Sequence, residues 1–185
     1  MGVELQILDW IQQMRTPVGD VWMPFLSRLG NAGMIWILLM CLLLMIPRTR
    51  RWGIALAAAL CLDVIVCNVL LKPMVCRTRP CDVNQSIQLL IAHPTDYSFP
   101  SGHTAASFAT VAALYFAGAK KLWKITLPLA VLMAFSRMYL YVHYPTDVLG
   151  GMIVGCAAGY FGNRLAGTLM RVWEQKMKKT EDRKK

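Results

Sequence analysis

Three short polar segments lie at the ends of long apolar runs, where charged side chains are scarce. The segments are "KPMVCRTRP" (72–80), "SFPSGHT" (98–104) and "SRMYLYVHYPTDVLGG" (136–151). Lys72, Arg79 and Arg137 carry positive charges, which are costly beside hydrocarbon unless an anion binds there. Because the planar fork of arginine matches phosphate, these residues predict a phosphate-binding site.

The sequence "PSGH" adds backbone groups to this site. Pro100 and Ser101 are typical of a helix start, and Gly102 allows a ligand to approach the backbone closely. The free N–H groups and the dipole of a first helical turn favour an anion. Ser101 and Gly102 are therefore predicted to bind the same phosphate as the three cations.

Two histidines and an aspartate are suited to nucleophilic attack and proton transfer. His143 precedes Pro145, a favoured first helical residue, so Asp147 falls in the first turn and within reach of His143. An aspartate on one imidazole nitrogen fixes the tautomer and makes the other nitrogen more nucleophilic. We predict that His143 attacks phosphorus, that Asp147 orients it, and that His103 acts as acid and base. Taken singly, each motif is more often a helix cap or an interfacial anchor.

The apolar content predicts a membrane protein. Apolar residues make up 56% of the 185 residues, which is too many for an ordinary soluble domain of this length. Several runs reach the roughly 17–25 residues that a helix needs to cross a bilayer. The prediction is one all-α domain over residues 1–170, a helical bundle with about five transmembrane helices. The predicted spans are 21–46, 52–71, 101–119, 122–140 and 145–169, and polar residues within the first move its expected start towards Leu29.

Residues 1–17 have apolar side chains at helical spacing and predict a helix that lies at the membrane interface. The net charge of +10 is concentrated at the ends of the apolar runs, with basic clusters at 48–51, 120–124 and 171–185. Alternate threading of the spans places these clusters on one side, which the positive-inside rule assigns to the cytoplasm, and the three polar segments on the other. Residues 171–185 are thus a predicted basic cytoplasmic tail. Basic patches with interleaved aromatic residues are missing from the sequence, which argues against a nucleic-acid partner.

The six cysteines do not define a disulfide framework. Cys76 and Cys81 flank a loop predicted to lie outside the cytoplasm, where a bridge could persist, but spacing alone leaves this pairing open. The sequence contains no C-x-x-C motif and its three histidines are far apart, so no metal site is predicted.

Three other features have structural interpretations. Asp63 lies within an apolar run and is expected to have a structural role outside the site, with Asn68 or a neighbouring helix as partner. The small residues of 150–159 are expected to pack the fifth span within the bundle rather than to form a dimer, which leaves the oligomeric state open. Residues 81–99 are expected to cap the site, with His93 as a loop residue.

Together the motifs resemble the signature of the type 2 phosphatidic acid phosphatase (PAP2) superfamily of integral-membrane lipid phosphatases. That signature is K-x6-R-P, P-S-G-H and S-R-x5-H-x3-D. The matching residues are Lys72, Arg79, Pro80, Pro100, Ser101, Gly102, His103, Ser136, Arg137, His143 and Asp147. The resemblance implies hydrolysis of a phosphate through a phosphohistidine, without metal or cofactor, with the roles predicted above.

The chain resembles bacterial members that act on undecaprenyl diphosphate or phosphatidylglycerol phosphate. The expected partner is therefore a lipid phosphate that enters from the membrane. The expected location is the bacterial cytoplasmic membrane, with the site on its extracytoplasmic face. Two alternatives stay open: a lipid phosphotransferase that uses the same phosphohistidine, and a lipid-binding membrane protein without catalytic activity.

Overall fold

A computed structural model describes residues 2–182, and within that range the chain forms helices and no strand. The helices are α1 (Val3–Gln13), α2 (Pro17–Gly30), α3 (Met34–Met45), α4 (Arg50–Asp63), α5 (Lys72–Val75), α6 (Pro80–Val83), α7 (Gly102–Phe116), α8 (Leu122–Tyr139) and α9 (Pro145–Asp182). A π-helical segment, Val64–Leu71, joins α4 to α5. The predicted all-α class is confirmed.

The first predicted span consists of two helices instead of one. The chain turns at Asn31–Gly33, where Ala32 and Gly33 have φ angles of 50° and 69°. Positive φ angles are not helical, so the break separates α2 from α3. Helix α2 starts at Pro17, ahead of both the predicted residue 21 and the expected start near Leu29, because Thr16 caps it by accepting a hydrogen bond from Gly19 N at 3.1 Å.

Two stretches are long and apolar enough to cross a membrane, Pro17–Met45 and Arg50–Val83. The outer surface of the bundle is also apolar where α8 and α9 face outwards, as Ile125 and Ile153 are exposed there. Such a surface suits lipid tails rather than water. The described part of the predicted tail continues α9 as far as Asp182, and residues 183–185 lie outside the described residues.

Helix α7 forms the centre of the bundle and packs against α4, α8 and α9. Every residue from Thr104 to Leu114 is buried. The contact with α9 is made by small residues: a Cβ atom added at Gly155 would lie 2.3 Å from Ala105 O. Small residues let two helices approach closely without a hydrophobic driving force, as in membrane bundles. The expected role of 150–159 in packing α9 within the bundle agrees with this contact.

Chain direction brings the three polar segments to one end of the bundle, which we call the site end. The α4–α5 stretch reaches the site end at Lys72, α7 starts there at Gly102, and α8 and α9 meet there around His143. The loops 46–49 and 117–121 lie at the opposite end. Helix α1 packs at the site end, where Leu8 and Ile11 are buried in a cluster with Tyr139 and Tyr141.

We expect Gly155→Ala to destabilise the protein, because the new methyl group meets the backbone of α7 instead of a movable side chain. Overpacking of this kind costs about 1–3 kcal/mol. Gly167→Ala is the matched control, since nothing lies within 4 Å of its added Cβ atom. Thermal unfolding in detergent should show a lower Tm for Gly155→Ala alone, and equal Tm values for the two variants would contradict the close packing of α7 and α9.

Candidate active site

A cavity of about 650 Å³ opens at the site end. Six of the eight predicted site residues line it: Lys72, Arg79, Gly102, His103, Arg137 and His143. The other two, Ser101 and Asp147, are fully buried beside it. Ser101 N donates to Asp147 O at 3.0 Å, so the start of α7 is tied to the start of α9. Helix ends that are far apart in sequence thus converge on one cavity.

Arg79 is held in the cavity wall by hydrogen bonds to the backbone. Its Nη1 donates to Val142 O at 2.7 Å and its Nε to Asp96 O at 2.8 Å. The side chain is only 3% exposed. Because carbonyl oxygens fix its orientation, the guanidinium keeps its position without relying on a bound anion.

Asp96 supplies the negative charge that balances two of the cations. Its carboxylate accepts from Arg79 Nη2 at 2.5 Å and forms an ion pair with Lys72. Burial raises the pKa of Asp96, but Lys72 and Arg79 outweigh this effect and lower it to about 2. The carboxylate is therefore ionised at all working pH values, and a phosphate that binds both cations has to displace it.

Arg137, at the end of α8, is also buried and is held less completely. Its Nη1 donates to Ser27 Oγ of α2, while its Nε is buried without a partner among the described residues. A buried donor without a partner is costly. Since Arg137 lines the cavity, an anion bound there would satisfy it.

His143 lies in the loop between α8 and α9, and its surroundings determine its tautomer. Arg79 Nη1 lies 3.2 Å from His143 Nε2. Because arginine only donates hydrogen bonds, Nε2 is the acceptor and the proton is on Nδ1. Nδ1 faces Asp147 Oδ2 at 3.6 Å, too long for a hydrogen bond. Burial lowers the pKa of His143 to about 3, so the imidazole is neutral and Nε2 is unprotonated, with its electron pair accepting from Arg79.

His103 lies in the first turn of α7, on the side of the cavity nearest α2. Its Nε2 is 3.1 Å from both Ser27 O and Asn31 Oδ1. Both atoms accept hydrogen bonds, so Nε2 carries the proton. The Nε2–H of His103 and the unprotonated Nε2 of His143 therefore line the same cavity.

Apolar side chains of α3 and of the π-helical segment also line the cavity. Ile37 and Val64 are two of them, and each is about half exposed. Asp63 lines the same region, although we expected it to lie outside the site, and its Oδ1 is buried without a hydrogen-bond partner. The expected partnership of this oxygen with Asn68 is absent.

The loop that covers the site leaves two cysteines unpaired and keeps His93 outside the cavity, as expected for a loop residue. Cys76 and Cys81 are free thiols, so the disulfide left open by the sequence is not formed. His93 does not line the cavity, and its Nε2 pairs with Asp82 at 2.8 Å. Ligand atoms of Cys81, Asp82 and His93 lie within 4.8 Å of one another, a group that histidine spacing in the sequence did not indicate.

Comparison with known proteins gives the family. The PAP2 superfamily matches residues 52–171. A protein named undecaprenyl-diphosphatase from Sulfolobus acidocaldarius is 33% identical over 168 residues, which cover 91% of this chain and 81% of that protein. The chain belongs to the PAP2 superfamily. The family resemblance of the sequence motifs is therefore confirmed.

A second relative is named after a different lipid. Decaprenylphosphoryl-5-phosphoribose phosphatase of Mycobacterium tuberculosis is 36% identical over 150 residues, 79% of this chain and 80% of that protein. Among solved structures, LpxE of Aquifex aeolicus has a TM-score of 0.74 at 27% identity, covering 89% of this chain and 96% of that chain. The PAP2 fold is thus shared over most of this chain.

Sequence reasoning missed Arg77, Asp96 and Ser98, which contact predicted site residues. Arg77 Nη1 donates to Asp147 Oδ1 at 2.6 Å, and Ser98 Oγ donates to Asp147 Oδ2 at 2.5 Å. Asp96 and Ser98 closely precede "PSGH", and Arg77 lies inside "CRTRP", so their nearness to the motifs was a usable signal. Nothing in the sequence shows which atoms they contact.

We expect Asp96→Asn to bind inorganic phosphate more tightly in this PAP2 protein, because the competing carboxylate is removed from Lys72 and Arg79. Asp96 is half exposed, so the expected gain is about three- to tenfold in the inhibition constant. Asp20→Asn is the control, since Asp20 pairs with Arg15 and does not line the cavity. Product-inhibition kinetics that show the same constant for Asp96→Asn and wild type would contradict this competition.

Proposed function

We propose that this PAP2 phosphatase removes the terminal phosphate of undecaprenyl diphosphate, with phosphatidylglycerol phosphate as the second candidate substrate. The observation that carries the proposal is the neutral Nε2 of His143 beside Arg79, in a cavity that Arg137 and Lys72 also line. A nucleophile beside three cations suits attack on a phosphate group. The similarity to the undecaprenyl-diphosphatase of Sulfolobus acidocaldarius supports the choice of substrate.

Substrate binding uses the cations and the start of α7. The terminal phosphate takes the place of the Asp96 carboxylate on Lys72 and Arg79, and its remaining oxygens accept from Arg137. Gly102 lines the cavity, so the free N–H groups of the first turn of α7 face the same anion. These donors also stabilise the charge on the equatorial oxygens in the transition state.

The first chemical step forms the phosphohistidine. His143 Nε2 attacks phosphorus, the bond between phosphorus and the lipid oxygen breaks, and its electron pair stays on that oxygen. His103 enters this step as the imidazolium, which the negative charge of the bound phosphate favours, and gives its Nε2 proton to the leaving oxygen; the ring must first release Ser27 O and Asn31 Oδ1. Asp147 holds the positive charge that develops at His143 Nδ1.

The second step releases phosphate. His103, now neutral and unprotonated at Nε2, takes a proton from a water molecule, whose oxygen attacks the phosphorus of the phosphohistidine. The bond between nitrogen and phosphorus breaks, and its electron pair returns to His143 Nε2. Both residues are then in their starting states. The roles assigned to His103, His143 and Asp147 in these two steps are part of the proposal.

The lipid part of the substrate is proposed to leave the cavity past α3 and the π-helical segment. Apolar side chains line the cavity there, including Ile37 and Val64, which suit an isoprenoid or acyl chain. The phosphate would then lie at the site end while the chain stays in the bilayer. The site end carries fewer basic clusters than the opposite end, so we assign it to the extracytoplasmic face of the cytoplasmic membrane.

The test is phosphate release by purified wild type and His143→Ala in detergent with EDTA, on undecaprenyl diphosphate, phosphatidylglycerol phosphate and phosphatidic acid. We expect release to persist in EDTA, to be fastest with undecaprenyl diphosphate, and to fall at least about 10⁴-fold in the variant, as when other catalytic nucleophiles are removed. Tm values confirm that the variant is folded.

Three outcomes would contradict the proposal. EDTA-sensitive release would show that the mechanism depends on a metal ion. Faster release from phosphatidylglycerol phosphate would show that this lipid, and not undecaprenyl diphosphate, is the preferred substrate. Release that appears only with an added acceptor lipid, as a phosphorylated lipid product, would identify a phosphotransferase.

A further inference from the structure

Arg77 points away from the cavity, although it lies only two residues before Arg79. It is not among the residues that line the cavity. Its Nη1 donates to Asp147 Oδ1 and to Thr146 Oγ1, both at 2.6 Å, and its guanidinium lies 4.0 Å from the ring centre of Tyr144. The side chain therefore lies against the start of α9, behind the catalytic histidine.

Asp147 is a buried carboxylate whose two oxygens have different partners. Oδ1 accepts from Arg77, while Oδ2 accepts from Ser98 Oγ at 2.5 Å and from Tyr144 N at 2.9 Å. Oδ2 is also the oxygen that faces His143 Nδ1. Because both oxygens are held, the carboxylate cannot rotate, and Oδ2 stays directed at the imidazole.

Arg77 also supplies the charge that a buried carboxylate needs. Asp147 is 0% exposed, and an ionised group without a partner at such a site is costly. Of the lysine and arginine side chains that the structure describes, that of Arg77 alone lies within ion-pair distance of Asp147. Removal of its guanidinium therefore leaves Asp147 with neutral donors and with the neutral His143.

Glu4 of α1 holds Arg77 in turn. Glu4 Oε2 accepts from Arg77 Nη2 at 2.5 Å, and Oε1 accepts from Thr146 N at 3.1 Å and from Thr146 Oγ1 at 2.6 Å. Burial raises the pKa of Glu4, but the hydrogen bonds from Thr146 and Arg77 outweigh it, so the net change is downwards and the carboxylate is charged. One side chain of α1 thus contacts both Arg77 and the first turn of α9.

Two further contacts attach α1 to the segment that carries His143. Tyr141 Oη donates to Asp9 Oδ1 at 2.6 Å, and Gln12 Nε2 donates to Tyr139 O at 2.8 Å. The polar side of α1 therefore follows the chain from the end of α8 to the start of α9. These contacts give α1 a fixed position relative to residues 140–144, the loop that carries His143.

We propose that Arg77 and Glu4 are positioning residues for the His143–Asp147 pair, and that α1 thereby takes part in catalysis as well as in membrane attachment. This inference depends on the phosphohistidine mechanism proposed above. Arg77 sets the orientation and charge of Asp147, the Asp147 carboxylate attracts the His143 Nδ1–H that lies 3.6 Å from it, and Glu4 keeps Arg77 in place. None of the phosphate-binding side chains is part of this chain of contacts.

The test compares Arg77→Gln, Arg77→Lys and Glu4→Gln with wild type on the lipid that wild type hydrolyses fastest. Partners that orient a functional histidine typically contribute 10- to 100-fold, so we expect Arg77→Gln to lower kcat by about that factor. KM should stay within about twofold, because Lys72, Arg79 and Arg137 are unchanged. Arg77→Lys should recover part of kcat, and Glu4→Gln should lose only severalfold because its amide oxygen can still accept.

Arg50→Gln is the matched control. Arg50 lies at the opposite end of the bundle, donates to Leu44 O at 3.2 Å and does not line the cavity, so its kcat should equal that of wild type. Rapid-quench measurement of phosphoenzyme formation should show a slower first step for Arg77→Gln. Size-exclusion chromatography and Tm values give the fraction of folded protein by which each rate is divided.

The outcomes separate this inference from the proposed function. If KM rises while kcat is unchanged, or if the kcat of Arg77→Gln equals that of wild type per folded molecule, the positioning role is wrong. If Arg77→Lys is no better than Arg77→Gln, the charge on Asp147 is not what Arg77 supplies, which also overturns it. If wild type releases no phosphate, or His143→Ala is as active as wild type, the proposed function fails instead.

Discussion

The concentration of positive charge at one end of an apolar bundle is the constraint on which the rest of the structure depends. Arg79 and Arg137 are each 3% exposed, and Lys72 lies near them on the same cavity. Like charges in a poorly hydrated site repel one another and lose hydration. The chain offsets this with carbonyl oxygens around Arg79 and with the carboxylate of Asp96. A phosphate that binds here, as proposed, replaces a negative charge that the fold already requires.

The helices bring these groups together through close backbone contact rather than through large side chains. Helix α7 is buried along most of its length, and glycines of α9 let the two backbones approach. A hydrogen bond from Ser101 N to Asp147 O links the first turns of the two helices. His103, the proposed acid and base, and Asp147, the proposed partner of the nucleophile, therefore start from one junction, and such a shared base suits precise catalytic geometry.

Much of the fold and site could be predicted because the relevant signals are local. Apolar runs predict the helices, and alternate threading through the membrane predicts which helix ends lie together. The spacing of His143 and Asp147 predicts that both lie at the start of the last helix. The break after α2 was less predictable, since it depends on positive φ angles at Ala32 and Gly33 that polar residues in the run only suggest. The contacts of Arg77 and Asp96 were not predictable, because a basic or acidic residue in a loop finds its partner only after the helices assemble.

The proposed path of the lipid past Ile37 and Val64 affects how substrate concentration should be understood for this protein. Both side chains line the cavity and are about half exposed. A substrate that enters there arrives by diffusion in the plane of the membrane, in two dimensions. The quantity that sets the rate is then its mole fraction among neighbouring lipids, so dilution with inert lipid slows the reaction even when the total amount of substrate in the vessel is constant.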